Sequence, residues 1–154
     1  MDVIRDNAKG LDGLAQLRSL LDAGVQPPIG RTLGFSLTEI ERGRAVFTGE
    51  PGRDVYNPIG AVHGGYAATL LDSACGCAAH SLLSATQGYT TLELKISYHR
   101  PLNEGSGLVK AEGRILSIGR RAAFAEAKLT DAAGKLCASA TSTLLIFDVN
   151  AAAS

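Results

Sequence analysis

The chain has 154 residues, 45% of them hydrophobic, with 18 glycines and no tryptophan, which suits one globular domain around a single core and excludes a disordered chain. Its 15 basic and 15 acidic side chains cancel, so the electrostatic footprint of a nucleic-acid binder is missing. No run approaches the ~20 apolar residues of a membrane span, the first residues are too polar for a secretory signal, and Cys75, Cys77 and Cys137 are an odd set; a cytoplasmic protein with free thiols and no membrane partner is expected.

Residues 11–22 place Leu11, Leu14, Leu17 and Leu21 about one helical turn apart, and Gly24, Pro27 and Pro28 end the run, which predicts one short amphipathic N-terminal helix. Strands are expected over 33–40 and 44–50, joined by a hairpin turn at Glu41-Arg42-Gly43. Residues 51–60, rich in Pro, Gly, Asn and Asp, read as an irregular loop. From 65 to about 83 the period becomes helical, with Ala67, Leu71, Ala74, Ala78 and Leu82 on one stripe and small side chains around it. A helix so thin can lie deep inside a curved sheet.

Beyond it the period is two. Leu92, Leu94, Ile96 and Tyr98 face one way and Glu93, Lys95, Ser97 and His99 the other; further runs near 107–117, 121–131 and 135–147 predict an antiparallel meander. Lys110, Glu112, Arg114, Glu126 and Lys128 form a mixed-charge outer face. Helices covering one face of an antiparallel sheet define an α+β domain.

The loop feeds into the long helix through Asn57-Pro58-Ile59-Gly60-Ala61-Val62-His63-Gly64-Gly65. The first N–H groups of a helix lack intrahelical partners, and the two glycines are expected to leave theirs accessible; with the helix dipole behind them they suit an oxyanion formed when a carbonyl is attacked. Asp72 is the only Asp, Glu, Lys or Arg between Ala61 and Thr90. It borders a strip of minimal bulk formed by Gly65, Ala68, Gly76 and Ala79. A carboxylate in such a place requires either hydrogen-bonding partners or a chemical role. At 1.5 Å per residue it stands roughly 10 Å along the axis from the glycine donors, too far to act on a carbonyl they hold. If both act on one carbonyl they come from different chains, with two such helices antiparallel across a two-fold axis. An obligate homodimer follows.

Asn57-x-x-Gly60-x-x-His63-Gly64-Gly65 followed by Leu70-Leu71-Asp72 resembles the signature of hot-dog-fold acyl-CoA thioesterases of the phenylacetate-degradation (PaaI) type. The resemblance continues through 90–94, 98–101, 119–121 and 124–126 and covers nearly everything from Pro27 to Phe147. It implies a hot-dog fold, an antiparallel sheet wrapped around one long central helix, with residues 27–148 as the thioesterase domain after an N-terminal helical segment 1–26, and 149–154 as a disordered tail. It implies acyl-CoA as substrate, with Asp72 as general base or nucleophile and Gly64 as the N–H donor to the thioester carbonyl. Asn57 and His63 would position substrate or water and brace the turn, and Thr91 would orient the attacking water. Val62, Gly65, Glu93, Tyr98, His99, Arg100, Pro101, Ser117, Gly119, Arg120 and Arg121 would contact substrate, the arginines as phosphate ligands.

Cys75, Cys77 and His80 lie on one helix with their spacing spread around the axis and no second ligand pair, so no metal is expected, and no cofactor beyond the CoA of the substrate. Tyr66, Tyr89 and Phe124 read as core or acyl-pocket lining. A homotetramer is the expected larger assembly, its pairing mode open, as is the acyl group. Alternatives are an acyl-CoA-binding sensor, which would need a DNA-binding module where the first 25 residues offer only one short helix, and a hot-dog dehydratase or hydratase.

Overall fold

The computed structural model describes residues 2–150. The elements run α1 (Val3–Asn7), α2 (Gly13–Asp22), α3 (Pro28–Leu33), β1 (Phe35–Glu41), β2 (Arg44–Gly49), α4 (Gly64–His80), β3 (Gln87–Tyr98), β4 (Val109–Ile118), β5 (Ala122–Thr130) and β6 (Leu136–Asp148). All strands join one antiparallel six-stranded sheet in the order β1-β2-β4-β5-β6-β3, with α4 seated against its inner face. This is the wrapped-helix architecture the sequence resemblance implies.

Three helices, not one, precede the sheet. The Asp12 side chain accepts from the Ala15 N–H and starts α2 one residue after Leu11, which is left exposed. Pro28, read from the sequence as a stop signal, sits in the first turn of α3, where its missing N–H costs nothing. That helix ends at Gly34 in the left-handed region (φ 69°), which moves the start of β1 to Phe35. Residues 151–154 of the expected tail lie outside the described residues.

The sheet is seated unusually close to α4. A Cβ on Gly113 of β4 would run into the Ala74 carbonyl and lie 2.8 Å from the Cys75 nitrogen. The inward positions of β4 and β5 are accordingly small: Ala111, Gly113, Ala123, Ala125 and Ala127 are all buried. Leu70, Leu71, Leu129 and Leu144 supply the bulk of the core around this contact. Phe124 alternates with those alanines and therefore points outward, 48% exposed, which corrects its reading as core or pocket lining.

The expected meander holds only for β4–β6. Strand β3 pairs with β6, not β4, and forms a free edge of the sheet. Its alternation also breaks. A bulge between Thr91 and Glu93 leaves Leu92 unpaired and 61% exposed, so Tyr89 and Thr91, opposite the inward Ile146 and Leu144, share a face with Leu94 and Ile96. The outer charges are organised around Arg44, which reaches Glu39 at 2.7 Å and Glu112 at 2.8 Å, while Arg114 reaches Glu112 at 2.9 Å.

The N-terminal helices are locked to the far end of α4. The Gly13 N–H donates to the Leu83 carbonyl at 2.9 Å, and His80 Nε2 meets Gln16 Oε1 at 2.7 Å in a buried contact. Since that amide oxygen only accepts, Nε2 carries the proton. Burial pushes the His80 pKa below its ordinary value, with the Asp2 carboxylate opposing the shift. A histidine whose folded pKa is depressed contributes stability above its unfolded pKa and loses it as pH falls through that value.

Two outcomes follow. Gly113→Ala should destabilise the fold by about 1–3 kcal/mol, measured by denaturant titration, because the obstacle is backbone and cannot swing away. The melting temperature should fall as pH drops below about 6.5, and the His80→Gln protein, less stable at neutral pH, should show a smaller fall.

Candidate active site

The loop before α4 is built to deliver its first residue. Asn57 Oδ1 accepts from the Ile59 and Ala61 N–H groups at 3.1 Å each, Gly60 takes the left-handed turn at φ 85°, and Tyr56 bridges to Val62. The His63 N–H donates to the Val55 carbonyl at 2.8 Å. His63 is then the N-cap: its Nδ1 accepts from the Gly65 N–H at 2.8 Å, and its carbonyl accepts from the Tyr66 N–H at 2.9 Å. The proton of a neutral ring therefore lies on Nε2.

This capping separates the two glycines. Gly65, expected to offer its N–H, has it taken by the histidine ring. Gly64 keeps an N–H with no partner among the described residues, at the positive end of a 17-residue helix. The Tyr98 ring covers Gly64 so closely that a Cβ there would lie 3.1 Å from it, and the Tyr98 hydroxyl donates to the Gly64 carbonyl at 2.9 Å.

A cleft of about 400 Å³ opens beside that N–H. Asn57, Ile59, Val62, His63 and Gly64 form one wall, Tyr98, His99, Arg100, Pro101 and Leu102 another, and Cys137 and Ala138 complete it. His99 Nε2 contacts Ser139 Oγ at 2.8 Å, and the backbone N–H groups of His99 and Arg100 both donate to the Cys137 carbonyl, which fixes this segment against β6. Ile59 stands 88% exposed at the mouth. The roles of Ile59, Cys137 and Ala138 as walls escaped the sequence reading, because Cys137 and Ala138 reach the cleft only through the β3–β6 pairing.

Asp72 does not line this cleft. It is half-buried two turns along α4, and its Oδ1 accepts from the Thr91 hydroxyl at 2.9 Å, while no described residue donates to Oδ2. Thr91 thus holds the carboxylate itself. Glu93, beyond the bulge, lies on the outer face and accepts from the Thr143 hydroxyl at 3.2 Å, away from Asp72.

Ser117, Gly119, Arg120 and Arg121 form a third group around the β4–β5 turn. Arg120 and Arg121 line an open cleft of about 540 Å³ with Ser84, Thr86 and Gln87. Gln87 pairs with Asp148 and Tyr98 with Ala138, so β3 separates this cleft from the first by roughly 35 Å at 3.3 Å per residue. One chain does not bring the arginines together.

The cysteines are poorly suited to attack. Burial pushes the Cys75 and Cys77 thiols up to about 12, and burial with the nearby Asp131 raises Cys137. Among the described residues no three His, Cys, Asp or Glu side chains gather as a metal site requires.

The thioesterase superfamily (4HBT) profile matches residues 59–138, which span the end of the loop, α4, the Asp72–Thr91 pair and all of the cleft lining but Asn57. The chain belongs to that superfamily. It is a thioester hydrolase with the hot-dog fold. Among curated relatives, a 1,4-dihydroxy-2-naphthoyl-CoA hydrolase from Listeria monocytogenes is 27% identical over 115 residues, covering 75% of this chain and 92% of the relative. Among solved structures, the phenylacetic acid degradation protein PaaI from Thermus thermophilus, in a mutant form, superposes with a TM-score of 0.70 at 29% identity, over 77% of this chain and 98% of that one. A Streptococcus mutans protein with acetyl-CoA bound gives 0.68 at 26% identity, over 75% of this chain and 90% of that one.

Thr91→Val should lower turnover in a thiol-release assay by roughly tenfold or more, since a hydrogen bond to a charged group contributes about 1.5–3 kcal/mol. KM should move little and Thr91→Ser should restore the rate, a pattern that loss of packing alone would not produce.

Proposed function

We propose that the protein is an acyl-CoA thioesterase of the PaaI type whose active site is shared between two copies of the chain. The observation that carries this reading is the separation within one chain. The free Gly64 N–H and the Asp72–Thr91 pair lie roughly 12 Å apart along α4, and only Gly64 lines the cleft.

The free edge of β3 supplies the means of joining them. Twelve residues of edge strand expose unpaired backbone groups, a ready template for a second strand. Pairing β3 antiparallel with its own copy, about a point midway between Thr91 and Tyr98, sets Asp72 beside the partner's Gly64. The same rotation moves the partner's Arg120 and Arg121 toward Arg100, so the two arginine groups converge on one phosphate-bearing ligand. The exposed row Leu116, Phe124 and Leu92, level across β4, β5 and β3, suits a second pairing that makes the expected homotetramer.

In this dimer the Gly64 N–H polarises the thioester carbonyl and stabilises the oxyanion. Asp72 of the other chain, its Oδ1 held by Thr91, either takes a proton from an attacking water or attacks the carbonyl carbon itself to give a mixed anhydride that water then cleaves, and the proton taken from water passes to the departing thiolate. The carbon–sulfur bond breaks, the acid keeps the hydroxyl of water, and CoA leaves as the thiol. A thioester is already activated, so positioning and oxyanion stabilisation meet the chemical need without a metal or redox cofactor. The free thiols fit a cytoplasmic setting.

The sensor alternative loses ground because α2 is fixed to α4 through Gln16 and Gly13 and forms part of the domain body. A dehydratase would need a free histidine paired with an acid, whereas the His63 ring is engaged by the Gly65 N–H.

Two inactive variants test the shared site. Asp72→Asn removes the carboxylate. Gly64→Pro removes the donor at a position where helices favour proline, following a residue already extended at ψ 135°. Mixed after unfolding and refolding in equal amounts, they should recover roughly a quarter of the parent's thiol release, because half of the dimers carry one intact site. No recovery, with both variants dimeric, would place the whole site in one chain and sink the proposal.

A further inference from the structure

Beyond Asp72 the small-residue strip of α4 comes to an abrupt close. Ala68 and Asp72 are partly open, whereas Gly76 and Ala79 are buried. What covers Gly76 is Tyr89. A Cβ on Gly76 would collide with the Tyr89 hydroxyl and lie 2.9 Å from its Cε2 and Cζ atoms. Tyr89 occupies the same face of β3 as Thr91, and Gly76 lies one turn after Asp72, so the ring stands about 6 Å beyond the reactive carboxylate along the helix. Its other edge rests on the His80 ring, with centroids 5.9 Å apart in an edge-on arrangement, and His80 is held by Gln16. The phenol is thus wedged from behind and cannot easily retreat. Burial also raises its pKa far above the ordinary value, so it stays a neutral group.

The shared site fixes which way an acyl group leaves the carbonyl. Two antiparallel helices that set Asp72 beside the partner's Gly64 cross near Ala68, so the direction from Asp72 toward Ala68 is filled by the partner's α4. The thiol arm takes the cleft beside the partner's Gly64, the one lined by Arg100. The direction left for the acyl group is outward along α4, toward Gly76 and the face of Tyr89.

Resting on the two-chain hydrolase reading, we propose that Tyr89 is the residue that limits acyl length, closing the channel one helical turn past Asp72 so that the enzyme takes short acyl or single-ring acyl groups. The His80–Gln16 contact gives α2 an indirect part in this selectivity, since it sets the position of the ring.

The test compares kcat/KM for butyryl-, hexanoyl-, octanoyl-, decanoyl- and the single-ring phenylacetyl-CoA in the parent, Tyr89→Val and Tyr89→Leu. Valine and leucine suit or tolerate a strand, and two sizes guard against one variant failing to fold. The parent should favour the short thioesters. The octanoyl-to-butyryl ratio should rise by at least about tenfold in the valine variant, the scale on which a pocket senses chain atoms, and by less in the leucine variant. A ratio unchanged in folded variants that still hydrolyse butyryl-CoA overturns the role of Tyr89 and leaves the hydrolase reading standing. A parent preferring decanoyl-CoA overturns it as well. Absence of thiol release from the parent with every substrate removes both readings together.

Discussion

The structure depends on how closely one helix can approach one sheet. The backbone of α4 at Ala74 and Cys75 lies against Gly113 of β4, with no space for a side chain between them. That contact demands small residues wherever the sheet faces the helix, which is why β4 and β5 present Ala111, Gly113, Ala123, Ala125 and Ala127 inward and send Phe124 into solvent. Dense contact between a thin helix and a curved sheet leaves little freedom for α4 to slide or tilt. The start of the helix and the carboxylate two turns later are therefore held at a fixed separation.

The proposed function follows from that fixed separation. His63 spends its ring and its carbonyl on Gly65 and Tyr66, so a single N–H, that of Gly64, is left at the positive helix end, under the Tyr98 ring and beside a cleft. Asp72 is held by Thr91 at a place the cleft does not reach. A donor and a carboxylate held apart inside one chain, and a sheet ending in an unpaired twelve-residue strand, are the two features that the proposed dimer joins, with its two-fold axis along that edge. In the proposed dimer, Tyr89 is the wall that the remaining direction of approach meets.

The N-terminal region shows where local signals mislead. Pro28 is a stop signal for the helix before it and a start signal for the one after, and only the chain's path decides which applies. Gln16 lies on a helix whose leucines suggested a simple apolar stripe, yet it is buried because His80 at the end of α4 offers its ring N–H. Neither partner announces the other across a separation of 64 residues.

Much was determined by the sequence itself. The period change at residue 65 marks α4, the small residues on it announce a helix enclosed by a sheet, the isolated Asp72 and the glycine turn point to carbonyl chemistry, and their spacing implies a second chain if both act on one carbonyl. These are local periodicities and distances along one rigid element, which sequence encodes directly. The tertiary structure decided the rest. Strict alternation places Thr91 with Glu93 on the outer face; the bulge at Leu92 turns it inward, and only then does its hydroxyl reach Asp72. Likewise β3 pairs with β6 and stays a free edge, and Tyr89 rather than Phe124 meets the helix. A bulge and a strand order arise from pairing between segments far apart in the chain, so no window of residues contains them.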